Sequence, residues 1–160
     1  MQAAGADFLL ICTNTMHKVA PQIEAAIDIP LCHIADATAE HIVGHNLTTV
    51  GLLGTNFTME QDFYKGRLAE KYGLQVIVPD AQDRQIVHRI IYEELVLGVV
   101  KEESRAEYLR IMRKMADQGA QGIIEGCTEI VMLVQQEHTD IPLFDTTALH
   151  AAAAVQRALT

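Results

Sequence analysis

Cations are scarce in this sequence, which has 12 lysine and arginine residues against 21 aspartate and glutamate residues. The formal net charge of −9 excludes the clustered positive surface that nucleic acids and anionic lipids require. Tryptophan is absent and only 4 prolines occur, but 49% of the residues are hydrophobic, which is enough for one ordered core. This balance favours a small-molecule ligand or a protein partner.

Long apolar runs are also missing. No stretch reaches the roughly 18 residues that a membrane span needs, and the N-terminus lacks the basic, apolar and small-residue order of a signal peptide. We therefore expect a cytoplasmic protein that does not bind membranes. The 3 cysteines, Cys12, Cys32 and Cys127, are odd in number and lack CxxC spacing, so neither a disulfide framework nor a zinc site is indicated.

Short apolar runs alternate with helical patterns along the chain. Runs of this length are typical of buried parallel strands, and apolar residues at three- and four-residue spacings between them predict covering helices. Capping-box spacing at Thr58 with Gln61 and at Ser104 with Glu107 predicts that helices begin there. The predicted strands are DFLLIC (7–12), PLCHIA (30–35), TVGLLGT (49–55), QVIVP (75–79), GIIEGC (122–127) and IPLFD (141–145).

The segments DFLLICTNT and GIIEGCTE look like two copies of one strand-to-helix turn. They predict an α/β fold of two pseudo-equivalent Rossmann-like parallel-sheet halves, the first incomplete at its N-terminus. We assign 1–46 with 146–160 to a remnant of the N-terminal half-domain and 47–145 to the second. Residues 1–6 read as a helix end that leads straight into a strand, as if roughly 60 residues of leading βα units were absent. The apolar sheet surface thus exposed predicts a homodimer or larger assembly.

Cys127 is the first candidate for chemistry, because it follows an apolar strand and precedes a predicted helix. Sites in α/β proteins form at such strand ends. Backbone N–H groups at the start of a helix favour a bound carboxylate and lower the pKa of a thiol, so we expect an activated thiol here. The alternative is a small buried apolar residue, since free cysteine is often buried.

The run Cys12-Thr13-Asn14-Thr15-Met16-His17 repeats this arrangement after the first strand. Strand geometry sends Cys12 and Thr13 to opposite faces, so only one of them can face a shared cleft. Asn14 and Thr15 have side chains that can bind a carboxylate. The alternative is that the run contains only helix caps and a core cysteine.

The run NTMH resembles the N-T-A-H of the first catalytic motif of the aspartate/glutamate racemase family, and GCTE resembles the second. In that family two residues, usually both cysteines, lie on opposite sides of the substrate Cα. The resemblance extends over essentially the whole chain. It places Thr13, rather than Cys12, at the position of the first cysteine, a departure shared with some aspartate/glutamate-specific members.

The resemblance implies racemisation of aspartate or glutamate without pyridoxal phosphate or any other cofactor, with Cys127 and Thr13 as the catalytic pair. Asn14, Thr15, Thr55 and Thr128 would hold the substrate carboxylates. The turn Gly51 to Thr55 resembles the family's carboxylate-binding turn, and it lacks the G-x-G-x-x-G pattern of a dinucleotide site. Two alternatives stay open: a related isomerase or decarboxylase, and a catalytically impaired fragment of a racemase.

Five further residues have predicted environments or roles. Glu125 lies on the same strand face as Cys127, where its charge would raise the thiol pKa, unless it turns to solvent at the end of the sheet. Val96 stands where the family has a lysine that helps to recognise substrate. His33 and His150 are expected to be hydrogen-bonded structural histidines, with a role in supporting the site as the alternative. Cys32 is expected to pack in the core.

Overall fold

The computed structural model of the protein describes residues 1–160. Each of the six predicted strand regions contains one observed strand, and the α/β fold with parallel sheets is confirmed. The strands are β1 (Leu9–Leu10), β2 (Leu31–Cys32), β3 (Thr49–Gly54), β4 (Gln75–Ile77), β5 (Ile123–Gly126) and β6 (Leu143–Asp145).

Eight α-helices connect and cover these strands, together with four 3-10 helices at Gln2–Ala4, Thr15–Val19, Leu95–Leu97 and Gln136–His138. No helix combines the length and the apolar composition that a membrane span requires. The α-helices are α1 (Ala20–Glu24), α2 (Ile34–Gly44), α3 (Asn56–Glu60), α4 (Asp62–Tyr72), α5 (Ala81–Glu93), α6 (Glu102–Asp117), α7 (Ile130–Leu133) and α8 (Thr146–Ala158).

The strands form two separate parallel sheets. The larger has the order β4-β3-β5-β6, and the smaller pairs β1 with β2. Because successive residues of a strand point to opposite faces, Leu53 and Ile123 pack with helices α5 and α6, while Leu52 and Ile124 pack with α2 and α4. The larger sheet is therefore buried on both faces, which is why its central strands read as unbroken apolar runs. The division into 1–46 with 146–160 and 47–145, and the homo-oligomer, stay predictions.

Both capping-box predictions are wrong. Helix α3 begins one turn earlier than expected, because the hydroxyl of Thr55 accepts a hydrogen bond from the N–H of Thr58 at 3.4 Å. Helix α6 begins at Glu102, and Ser104 lies within its first turn, where its hydroxyl donates to the carboxylate of Glu94 at 2.6 Å. In both cases the hydroxyl that was predicted to cap a helix contacts another side chain: Thr58 contacts Thr15 and Thr55, and Ser104 bonds to Glu94.

Strands β3 and β5 approach closely at the end of the sheet that precedes Cys127. Gly54 pairs with Gly126 in the register of the two strands. A Cβ on Gly126 would lie 2.7 Å from the carbonyl oxygen of Leu53, and a Cβ on Gly54 would lie 2.9 Å from that of Gly126. Backbone atoms cannot move aside as a flexible side chain can, so glycine is required at this crossing.

Glu125, on β5, is buried instead of turning to solvent, with 3% of its surface exposed. Its Oε1 has no hydrogen-bond partner, and Asp145 lies beside it on β6. Burial, together with the negative charge of Asp145, raises the pKa of Glu125 to about 8. At neutral pH the Glu125 carboxyl is therefore held mainly in its protonated form.

We predict that Gly126→Ala lowers the free energy of unfolding by about 1–3 kcal/mol, because the added methyl group overpacks a rigid backbone contact. Chemical denaturation measures the change. Gly44→Ala is the matched control, since a Cβ at Gly44 meets nothing within 4 Å. Equal stability of the two variants would contradict the close approach.

We further predict that stability falls between about pH 5 and pH 8 through Glu125. In this window the folded protein keeps the proton and the unfolded chain has released it, so raising the pH favours unfolding. Glu125→Gln removes this titration and should raise the unfolding free energy at pH 8, relative to the wild type, by roughly 2–4 kcal/mol. Thermal melts across this pH range test it, with exposed Glu137→Gln as the control. An unchanged pH slope in Glu125→Gln would refute the assignment.

Candidate active site

A pocket of about 330 Å³ lies between the turn that follows β1 and the turn that follows β5. This volume is at the lower end of the range for small-molecule sites. The structure brings all six residues that the sequence analysis selected to its wall, and their roles stay predictions. They are Thr13, Asn14, Thr15, Thr55, Cys127 and Thr128.

Cys127 occupies the first position after β5, in a turn closed by a hydrogen bond from the N–H of Ile130 to its carbonyl oxygen at 3.2 Å. The residue is 9% exposed, and its thiol lines the pocket. The Sγ–H group donates to Oε2 of Glu129 at 2.8 Å. A thiol and a carboxylate are therefore paired at the site.

The expectation of an activated thiol with a lowered pKa is wrong. Burial and the hydrogen bond to the Glu129 carboxylate raise the pKa of Cys127 to about 12. Helix α7, which follows the turn, has only four residues and so a small dipole. The carboxylate that raises the thiol pKa is thus Glu129, and Glu125 takes no part in it.

Glu129 is the proton acceptor in this pair. Although its partial burial opposes ionisation, hydrogen bonds from Cys127 and Thr128 hold the pKa of Glu129 below its ordinary value. Burial is the larger cause of the raised thiol pKa, and the hydrogen bond contributes to both shifts, because it favours the thiol with the carboxylate over any other protonation state. At neutral pH the pair holds one proton, on sulfur.

Of the two residues at the end of the first strand, Thr13 lines the pocket and Cys12 is exposed outside it. The alternative of a core cysteine at position 12 is therefore wrong. The carbonyl oxygen of Thr13 accepts a hydrogen bond from Nδ1 of His17 at 2.8 Å, while Nε2 of His17 accepts from the N–H of Ile34 at 3.2 Å. His17 thereby fixes the backbone of Thr13 against the start of α2.

His33 and His150 support the site without entering the pocket. Nδ1 of His33 accepts from the N–H of Ala35 and caps α2, and Nε2–H of His150 donates to the carbonyl oxygen of Cys32 at 2.7 Å. Burial lowers the pKa of His17 to about 4 and that of His33 to about 3, so both rings are neutral at physiological pH. Cys32 is buried, as expected. The histidine, cysteine and acidic side chains form no group of three or more with metal-site geometry.

Hydroxyl groups form the polar floor of the pocket. The Oγ1 atom of Thr15 lies 3.2 Å from that of Thr55 and 3.3 Å from that of Thr58, and the last two are 3.3 Å apart. Thr58 is fully buried, but the hydroxyls of Thr15 and Thr55 line the pocket and can rotate to donate to an incoming carboxylate oxygen. The triangle joins the turn after β1 to the start of α3.

Asn14 joins the same turn to α8. It is 3% exposed, and its Nδ2 donates to Oγ1 of Thr146 at 3.0 Å. Thr146 in turn donates to the carbonyl oxygen of Glu125 at 2.9 Å, which assigns the amide group of Asn14 as the donor. The remaining atom, Oδ1, is buried and has no hydrogen-bond partner.

Sequence reasoning missed two charged residues of the pocket, Lys18 and Glu129. Glu129 stands in the quoted GCTE run, and its position two residues after a thiol was a usable signal. Lys18 directly follows NTMH, but a lysine at a helix surface carries no signal of its own. The mouth of the pocket is apolar, and its exposed side chains include Met16, Phe57, Tyr92 and Val96.

Comparison with known proteins identifies the family. Residues 1–154 match the family model described as Asp/Glu/Hydantoin racemase. The broad specificity amino-acid racemase RacX of Bacillus subtilis (strain 168) is 24% identical over 159 residues, which are 97% of this chain. The chain spans 66% of the length of RacX, just under two thirds.

Two solved structures have the same fold over nearly the whole chain. A protein from Yersinia pestis assigned to the Asp/Glu racemases is 57% identical, with a TM-score of 0.95 over 99% of this chain and 69% of its own. An aspartate racemase homologue from Pyrococcus horikoshii is 33% identical, with a TM-score of 0.89 over 99% of this chain and 70% of its own. The paired strand-end turns, the pocket between them and these matches agree, and the chain belongs to the Asp/Glu/hydantoin racemase family.

Proposed function

We propose that this chain racemises an acidic amino acid, aspartate or glutamate, by cofactor-independent proton transfer at Cα. The observation that carries the proposal is the Cys127–Glu129 pair in the same pocket as Thr13. Racemisation needs one group to remove the Cα proton and another to return a proton on the opposite face. Cys127 performs the exchange on one face, and Thr13 occupies the other.

Glu129 makes the buried thiol usable as a base. When the thiol proton moves to Oε2 of Glu129, the sulfur is left with the lone pair that removes the Cα proton, and a new S–H bond forms as the Cα–H bond breaks. The carbanion is then protonated either by the Cys127 S–H, after which Glu129 returns its proton to sulfur, or on the opposite face by the Thr13 hydroxyl, after which Thr13 takes a proton from solvent and Glu129 releases its own. Because the pKa of Cys127 is about 12 in the free protein, the reaction depends on this transfer instead of on a standing thiolate.

Thr13 is the weak member of the catalytic pair. An aliphatic hydroxyl accepts a proton only with the help of a neighbouring base, whereas it can serve in donation through bound water. We therefore expect uneven rates in the two directions. Exchange at the Cys127 face is faster than full inversion.

The remaining wall of the pocket suits the common part of an amino acid. The hydroxyls of Thr15, Thr55 and Thr128 are donors for a carboxylate. The carboxylate role expected for Asn14 changes here, because its Nδ2 is already bonded to Thr146 and its free atom, Oδ1, is an acceptor, which suits the α-ammonium group instead. Neither role requires a cofactor.

A second candidate function is decarboxylation of a substituted malonate, which the raised thiol pKa favours. Such a reaction needs one proton donor for the carbanion that is left after loss of CO₂, and a protonated thiol is that donor. Release of CO₂ from a substituted malonate, without Cα exchange of aspartate or glutamate, would support this candidate over racemisation.

We predict that the protein exchanges the Cα hydrogen of L-aspartate or L-glutamate with solvent deuterium without added cofactor. Cys127→Ser should slow this exchange by about 100-fold or more, because it removes the proton-transferring thiol. Thr13→Cys should raise full interconversion by placing a thiol on the second face. Proton NMR in deuterium oxide follows the exchange, and chiral chromatography follows inversion.

Cys12→Ser is the matched control for this series, because Cys12 is exposed outside the pocket. It should leave exchange unchanged. If Cys12→Ser were the damaging change, Cys12 and not Thr13 would be the partner of Cys127. If a version of the chain extended at its N-terminus catalysed the exchange and this chain did not, the alternative of a catalytically impaired fragment would be supported.

We also predict that Glu129→Gln separates thiol reactivity from catalysis. Loss of the carboxylate lowers the Cys127 pKa, so alkylation by iodoacetamide at pH 8 should become roughly tenfold faster, while Cα exchange becomes slower. Peptide mass mapping measures the alkylation of Cys127 and of Cys12 in the same sample. Cys12 is the internal control, and its alkylation rate should not change. Unaltered labelling of Cys127 would mean that Glu129 does not hold its proton.

A further inference from the structure

The pocket contains only two charged side chains, Lys18 and Glu129. Glu129 is already bonded to Cys127 and repels a carboxylate of the substrate. The threonine hydroxyls and Asn14 can hold the common part of any amino acid. A distal carboxylate therefore has one charged partner available in this pocket, Lys18.

Lys18 is also free to take that role. Each of the other four lysines pairs with a carboxylate at 3.4 Å or less: Lys65, Lys71, Lys101 and Lys114. Lys18 forms no ion pair, and its Nζ lies 5.6 Å from the centroid of the Phe57 ring. The aromatic face holds the ammonium group at the pocket mouth without neutralising it.

Position and surroundings give Lys18 the reach that this role needs. It belongs to the 3-10 helix Thr15–Val19, whose first residue contributes a hydroxyl to the floor. Side chains three residues apart on a 3-10 helix lie on the same face, so Thr15 and Lys18 can contact the two ends of one ligand in this pocket. The other mouth residues, Met16, Tyr92 and Val96, are not cationic side chains and offer a distal carboxylate nothing comparable.

We propose that Lys18 is the specificity-determining residue that binds the distal carboxylate of a dicarboxylic substrate. The assignment of that substrate as an amino acid rests on the proposed function. Without Lys18 the pocket would bind the neutral amide equally well, because no other cation lines it. Lys18 thus controls the preference of the pocket for a ligand with a distal carboxylate over the same ligand with a neutral amide.

Binding of succinate and of succinamate, its mono-amide, tests the proposal without requiring turnover. Isothermal titration calorimetry should give about tenfold tighter binding of succinate to the wild type, the expected size for one charge-assisted contact at a partly exposed site. In Lys18→Met the two ligands should bind alike, and Lys18→Arg should keep most of the preference. Lys65→Met is the control, since Lys65 lies outside the pocket.

Aspartate and asparagine exchange in deuterium oxide separates failure of this proposal from failure of the proposed function. If Cα exchange occurs and Lys18→Met keeps the wild-type preference for aspartate, the role of Lys18 is overturned and the racemase proposal stands. If exchange is absent but the succinate preference disappears in Lys18→Met, the racemase proposal fails and Lys18 remains the carboxylate receptor. Equal binding of succinate and succinamate by the wild type overturns the role of Lys18.

Discussion

The hydrogen bond from Nδ2 of Asn14 to Oγ1 of Thr146 joins the two sheets at the point where the pocket forms. Thr146 passes the link on to the carbonyl oxygen of Glu125, at the end of the central strand β5. The turn after β1 is thereby fastened to the strand that carries Cys127. Because these groups are buried, breaking either of the two hydrogen bonds would leave unpaired polar atoms, and each such atom costs more free energy than a hydrogen bond contributes. The two halves of the site are held in one arrangement for that reason.

Desolvation governs the chemistry of the pocket. It holds the Cys127 thiol protonated, and the hydrogen bond that this thiol donates keeps Glu129 ionised against its own partial burial. The neighbouring histidines are kept neutral by the same burial, so they act as fixed hydrogen-bonding groups. In a pocket with so little free charge, each remaining charge has a large effect on what binds. The unpaired Lys18 at the mouth therefore attracts a substrate carboxylate. Glu129, beside the thiol, accepts the thiol proton.

Much of the fold and of the candidate site is predictable from the sequence. Buried parallel strands are read easily, because both faces are covered and the runs stay apolar, as in TVGLLG. Polar side chains after parallel strands meet at one edge of the sheet, which pointed to Cys127, Asn14 and Thr15. The family resemblance implied the roles of Thr13, Thr55 and Thr128. The strand alternation also left one of Cys12 and Thr13 in the cleft, which is what the structure has.

Other features depend on three-dimensional contacts that no local pattern contains. The hydroxyls of Thr58 and Ser104 were wrongly assigned as caps because contacts with Thr15 and Glu94, distant in sequence, outweigh a four-residue spacing. The sign of the Cys127 pKa shift was missed because burial and Glu129 outweigh a helix of four residues. The availability of Lys18 follows only from seeing that every other lysine is paired.

The central claim is that a single effective base, Cys127 with Glu129, works on one face of Cα. The most direct test is the stereochemical course in deuterium oxide at low conversion, starting separately from the L and D enantiomers of aspartate. Our account predicts that only one recovered enantiomer, the one whose Cα hydrogen faces Cys127, acquires deuterium before its mirror image accumulates, because the thiol proton exchanges with solvent and returns to the same face. The other recovered enantiomer should contain almost none, since its Cα hydrogen faces Thr13. Equal incorporation into both recovered enantiomers would contradict the account.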